Sequence, residues 1–169
     1  MDPITLSHTT AAFFRRGREY LLMHRAPNRV VAPGMWSGVG GKLERAELND
    51  PEIACLREIL EETGIQAEQI RDLTLRYLLV RRHRDTIRLT YVYFGETDAE
   101  PTVTTDEGEL HWVPESALLD RPYTKTFAAM MKHYLQTPDP ERVVVGVAEN
   151  DNGACRMVWS AIEDFEAEV

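Results

Sequence analysis

Cysteine is scarce in this sequence: Cys55 and Cys155 are the only two in 169 residues. They match no metal-binding spacing and build no disulfide framework, which excludes stapled mini-scaffolds and zinc modules. Both read as free thiols, Cys55 on a helix and Cys155 in a strand. Long apolar runs are missing as well. None approaches the roughly 20 residues of a membrane-spanning helix, and "MDPITLSHTT" has neither the basic start nor the apolar stretch of a signal peptide. A cytoplasmic protein with no membrane partner is expected. Basic residues are outnumbered, 19 Lys and Arg against 28 Asp and Glu, for a formal net charge of −9. Such a surface excludes polymeric nucleic acid, whose phosphates are gripped by clustered Lys and Arg. A small phosphorylated ligand stays open, provided that cations neutralise the charge around it. Internal repeats are absent too, and the acidic end "IEDFEAEV" reads as a solvated, partly frayed terminus.

What is present is an ordinary globular composition over a length that suits one domain, 1–169, with a core of its own. "ITLSHTTAAFF" and "REYLLMHR" are rich in strand formers and flank a turn at "RRG". "TLRYLLVRR" and "TIRLTYVYF" form a second such pair, in which Ile87, Leu89, Tyr91 and Tyr93 share one face. "ELHWVP" is a shorter strand. "YTKTFAAMMKHYLQ" sets Phe127, Met130, Met131, Tyr134 and Leu135 at helical spacing, a stripe for the core. "RVVVGVAEN" and "ACRMVWSAI" flank Asp151-Asn152-Gly153, a strong hairpin signal. The fold class is α+β, with helices packed on a mixed sheet.

Against that background one segment is overloaded with carboxylates: "GGKLERAELNDPEIACLREILEETGI", Gly40 to Ile65. Asp50 is placed to cap a helix that Pro51 opens and Gly64 ends. Ile53, Leu56 and Leu60 are expected to form its buried stripe, with Ile59 beside them. Glu58, Glu61 and Glu62 then lie at i, i+3 and i+4 on one edge, and Arg57 sits four residues before Glu61. Two readings fit such a cluster. It is a solvated acidic face, or it is a cation site in which the Gly-rich "SGVGGK" loop adds bare carbonyls to the carboxylates.

The segment resembles the signature of the Nudix hydrolases, G-x5-E-x7-R-E-U-x-E-E-x-G-U, with U aliphatic. Gly41 to Glu47 match its first part and "REILEETGI" its second, while nine residues, Leu48 to Leu56, stand where the pattern has seven. "TDEGELHW" resembles the segment from which many of these enzymes take a further glutamate, here Glu107. The order of elements over about 5–136 fits the family, and the hairpin at about 142–161 is similar to that of its oxidised-purine nucleoside triphosphatases. The resemblance implies an α/β/α sandwich and hydrolysis of a nucleoside diphosphate linked to a group X. It implies Gly40, Glu58, Glu61, Glu62 and Glu107 as ligands to Mg²⁺ (Mn²⁺ substituting), Glu61 or Glu62 as the base, and Arg57 as the residue that orients them.

Lys42 and Arg25 are candidates for the substrate phosphates, and Trp36 and Ser37 for the base. Ser37 stands where the oxidised-purine enzymes carry an Asn. By elimination the expected activity is a nucleoside triphosphate diphosphatase of the MutT type, acting on a (d)NTP or an oxidised one such as 8-oxo-dGTP. Hydrolysis of ADP-ribose or another nucleotide sugar is the second reading, and a non-catalytic nucleotide-binding module the third. The partner is a small-molecule nucleotide, met by a monomer or homodimer.

Overall fold

Alternation along the first strand decides which helix covers which side of the sheet. In the computed structural model, which describes residues 3–137 and 142–163, strand β1 runs Thr5–Arg16. Its Ala12 and Phe14 pack with Cys55 and Ile59 of helix α1 (Pro51–Thr63). The intervening Ala11 and Phe13 pack with Met130 and Met131 of helix α2 (Lys125–Gln136). A strand that sends apolar side chains both ways needs cover on both faces, and the two helices supply it. The result is an α/β/α sandwich.

The remaining strands are β2 (Glu19–Arg25), β3 (Trp36–Ser37), β4 (Arg71–His83), β5 (Thr86–Glu96), β6 (Gly108–Pro114), β7 (Val144–Asp151) and β8 (Ala154–Ala161). They form one eight-stranded sheet in the order β3-β2-β1-β5-β4-β7-β8, with β6 added to β2. The β1–β5 and β4–β7 pairs are parallel and the others antiparallel, so the sheet is mixed. The C-terminal hairpin turns at Asn152 and Gly153, both with positive φ (50° and 89°), the pairing that suits a two-residue turn. Trp159 and Met157 of β8 close over the α2 side of the core. Residues 164–169 of the acidic end lie outside the described residues.

Helix α1 sits differently from its apolar spacing. Ile53 and Leu60 are 55% and 43% exposed, and Leu56 is only half-buried. The buried side is Ala54, Cys55, Ile59, Glu62 and Thr63. The small Ala54 and Cys55 let the helix approach the sheet closely, and that rotation carries Glu62 inward. Pro51 opens the helix and Gly64 ends it with φ 75°, but the Asp50 side chain makes no capping bond. Strand β3 is only two residues long, too short to leave a sequence pattern.

Candidate active site

The Gly-rich loop is fastened to β1 through its backbone. Thr10 N–H donates to Gly41 O (2.8 Å), Ala12 N–H to Val39 O (2.6 Å), and Val39 N–H to Ala12 O (3.0 Å). Side chains would not fit there. A Cβ on Gly40, whose φ is 149°, would lie 2.4 Å from Thr10 O, and one on Gly41 would lie 2.5 Å from the Glu58 carboxylate. Glycine is therefore what allows α1 to bring Glu58 against the loop.

Arg57 is the hub of the acidic cluster. Its Nε and Nη2 donate to the two oxygens of Glu47 (2.8 and 3.0 Å), and Nη1 donates to Glu58 (2.9 Å) and Glu61 (3.3 Å). Nη2 also reaches Lys42 O at 3.1 Å, which ties the loop to the helix. The two-pronged bond holds the Glu47 carboxyl below its usual range, helped by the Glu44 N–H. Glu47 thus keeps its grip on Arg57 in spite of the two extra spacer residues. The residues between Glu47 and Pro51 take up the slack ahead of α1, in a turn that the Asp50 N–H closes on Glu47 O at 2.9 Å.

The three helix glutamates occupy different surroundings. Glu61 is at the rim, with its side chain 58% exposed. Glu58 is half-buried, and burial pushes its carboxyl up against the pull of Arg57. Glu62 is buried, with one oxygen accepting the Gly40 N–H at 2.9 Å. Burial pushes its carboxyl up to about 8; Glu58 and Glu107 add to the rise, while the Gly40 N–H and Arg25 oppose it. Glu107, on the approach to β6, forms ion pairs with Arg29 and with Arg25 (3.5 Å).

One cavity of about 400 Å³ is lined by Glu58, Glu62 and Glu107 and by Arg25, Arg29 and Lys42, whereas Glu47, Arg57 and Glu61 are not part of its lining. Trp36 and Ser37 line it too. The Trp36 ring stacks on His24 at 4.9 Å and lies under the Arg121 guanidinium at 4.8 Å, so it acts as wall. The hydroxyls of Ser37 and Thr10 are buried on this cavity without a hydrogen-bond partner. Two orphaned hydroxyls in a roomy cleft mark a place for a polar ligand.

The NUDIX domain family model matches residues 6–134. The chain belongs to the Nudix family. Nudix domains are in general pyrophosphohydrolases and use divalent metals such as Mg²⁺. Among solved structures, the MutT protein of Bacillus halodurans is similar with a TM-score of 0.71 and 18% identity, over 92% of this chain and 97% of that one. The MutT protein of Methanosarcina mazei has a TM-score of 0.66 and 21% identity, over 79% and 95%. The MutT Nudix hydrolase of Burkholderia pseudomallei has a TM-score of 0.60 and 28% identity, over 76% and 97%. At these identities the first two likenesses speak for the fold. No helix among the described residues is long and apolar enough to cross a membrane.

Among the described residues, no three Asp, Glu, His or Cys side chains converge tightly enough to cage a cation by themselves. The Nudix glutamates fit Mg²⁺ in another way. Their donors are all hard oxygens, burial disfavours the charged forms of Glu58 and Glu62 that a cation would favour, and Mg²⁺ keeps several waters of its own. Two residues of the site, Glu47 and Arg29, have no assignment in the sequence. Glu47 was visible in the signature, but spacing does not reveal that it holds Arg57. Arg29 lies in a loop and carries no signal until Glu107 is seen beside it.

Proposed function

We propose that this chain acts as a single domain and as a Mg²⁺-dependent nucleoside triphosphate diphosphatase. It would convert a (d)NTP, with oxidised forms such as 8-oxo-dGTP among the candidates, to the monophosphate and pyrophosphate. One observation carries the reading: Glu58, Glu62 and Glu107 share a cavity with Arg25, Arg29 and Lys42. Acidic groups alone would repel a polyphosphate, and basic groups alone would bind it without activating water. Glu58, Glu61, Glu62, Glu107 and the Gly40 carbonyl are the groups assigned to hold Mg²⁺. When bound there, it supplies charge neutralisation at the phosphate oxygens and lowers the pKa of an attacking water. Arg25, Arg29 and Lys42 orient the phosphate chain, and Trp36 and Ser37 border the nucleoside. Proton removal from the water falls to Glu62 or Glu61. Glu62 is aimed by its bond to Gly40 N–H, whereas Glu61 can swing from the rim.

The deciding experiment is a nucleotide panel in ¹⁸O-water with Mg²⁺. Monophosphate plus labelled pyrophosphate is the expected product pair, from attack at the β-phosphorus. Faster turnover of ADP-ribose or a nucleotide sugar would move the substrate class, release of single phosphate would overturn the diphosphatase, and no turnover at all would leave a binding module.

Arg57 is a positioning residue in this scheme, since it acts through Glu47, Glu58 and Glu61. Arg57→Ala should lower kcat/KM about 10–100-fold, the usual cost of losing a group that orients metal ligands. Arg57→Lys should recover little, because an ammonium cannot reproduce the fork on Glu47. The Mg²⁺ concentration needed for half-maximal activity should rise in both variants. Kinetics within threefold of the original protein, at unchanged Mg²⁺ dependence, would refute the assignment.

A further inference from the structure

The same cavity continues away from the glutamates, across the floor of the sheet. β1, β5 and β4 follow one another there, and Thr9 pairs with Thr90 while Arg88 of β5 pairs directly with Arg81 of β4. Both arginines line the cavity, and among the described residues neither guanidinium has a hydrogen-bond or ion-pair partner. The Nε of Arg88 is shielded from solvent and still unbonded. Like charges directly opposite one another on paired strands cost stability, and among the described residues no carboxylate is paired with either of them. Burial draws the Arg88 guanidinium below its usual range, and Arg81 adds to that effect. The Thr9 and Thr90 hydroxyls, bonded to each other at 2.9 Å, stand beside the pair.

The Gly-rich loop flanks β1 on the side away from β5, through the Thr9–Lys42 and Ala12–Val39 bridges. Arg88 and Arg81 are therefore two and three strand spacings from it, about 10–14 Å before the side chains reach back. That separation is longer than a pyrophosphate and within the span of a nucleotide.

We infer that Arg81 and Arg88 form a second anion subsite, which selects substrates carrying a further phosphate on the nucleoside, remote from the pyrophosphate that is cleaved. The inference rests on the reading of this cavity as a nucleotide site. A phosphate suits the pair better than a neutral base edge, because only an anion offsets both charges while filling the guanidinium donors.

Calorimetry without metal tests it on the intact chain, with adenosine 3′,5′-bisphosphate and adenosine 2′,5′-bisphosphate each compared with AMP. At least one bisphosphate should bind about tenfold more tightly than AMP, an advantage that shrinks with added salt. In the Arg81→Gln/Arg88→Gln double variant the ratio should fall to about one, while the surface control Glu52→Gln keeps it. The melting temperature of Arg88→Gln should be unchanged or higher, since an unpaired buried charge is removed; a marked fall would assign Arg88 to the framework and overturn the subsite. Equal binding of all three nucleotides, or a preference that survives the double variant, would also overturn it. The two readings fail separately. No turnover on the panel with the binding ratio intact removes the hydrolase and leaves the subsite, whereas turnover with a ratio of one does the reverse.

Discussion

Excess EDTA is expected to bring nucleoside triphosphate hydrolysis down to the uncatalysed rate, and added Mg²⁺ or Mn²⁺ to restore it. Without a cation, Glu58, Glu62 and Glu107 face the same cavity as the incoming polyphosphate, with Arg25 and Arg29 already engaged by Glu107. Arg81 and Arg88 lie at the far end of the cavity, so beside the carboxylates Lys42 is left to offset that repulsion, and a single ammonium cannot. The protein should also melt at a higher temperature as Mg²⁺ is titrated in, because the cation binds the folded cluster and finds no such cluster in the unfolded chain. Turnover that persists in chelator would remove the metal from the scheme, and a flat melting temperature across the titration would argue against a site assembled before substrate arrives.

Glu62→Gln should cost on the order of 10²–10³-fold in kcat/KM, since several kcal/mol of charge stabilisation act through this carboxylate and each 1.36 kcal/mol is tenfold. The fold should survive, because an amide oxygen can still accept the Gly40 N–H. Stability gives an independent readout with a definite sign. Burial raises the folded Glu62 carboxyl from 4.5 to about 8, so the folded state holds a proton that the unfolded chain has lost. The contribution of this group is fully present below about 4.5 and is lost as pH rises through about 8. Glu58, shifted in the same direction, adds to that slope, whereas Glu47 is shifted downward and acts only in acid. Metal-free Glu62→Gln should therefore melt at or above the original protein at pH 9, and its stability should fall less steeply between pH 5 and 9. Mg²⁺ should stabilise it far less. Activity within tenfold of the original, or a lower melting temperature at pH 9, would contradict this account.

Much of this arrangement was legible in the residues. Alternation in "TIRLTYVYF", the stripe through Met130 and Met131, and the Asn152-Gly153 turn each report a local rule, and each element forms where its rule puts it. The signature likewise placed Glu58, Glu61 and Glu62 on one helix. The orientation of that helix was not legible. Ile53 and Leu60 suggested one buried face, but close packing on β1 favoured Ala54, Cys55 and Ile59, and Glu62 followed them inside. Glu62 is consequently a buried group fixed to the loop, not one that points outward with Glu61. Arg81 and Arg88 escaped notice for a related reason. They lie in strands dense with arginine, and only the register of β4 on β5 shows which of those side chains share the cavity.

The parallel pairing of β1 with β5 has a consequence for how the molecule comes together. Thr5 meets Thr86 across 81 residues of chain, and both the Gly-rich loop and α1 lie within that stretch. Glu107 arrives from beyond it, on the approach to β6. Closing so long a segment is entropically expensive and is repaid only when the whole sheet seam forms. The C-terminal hairpin can form from neighbours in sequence, but it contributes none of the carboxylates. Assembly of the acidic centre is therefore tied to non-local steps in folding, and a chain that has completed only its local structure has no cation site to offer.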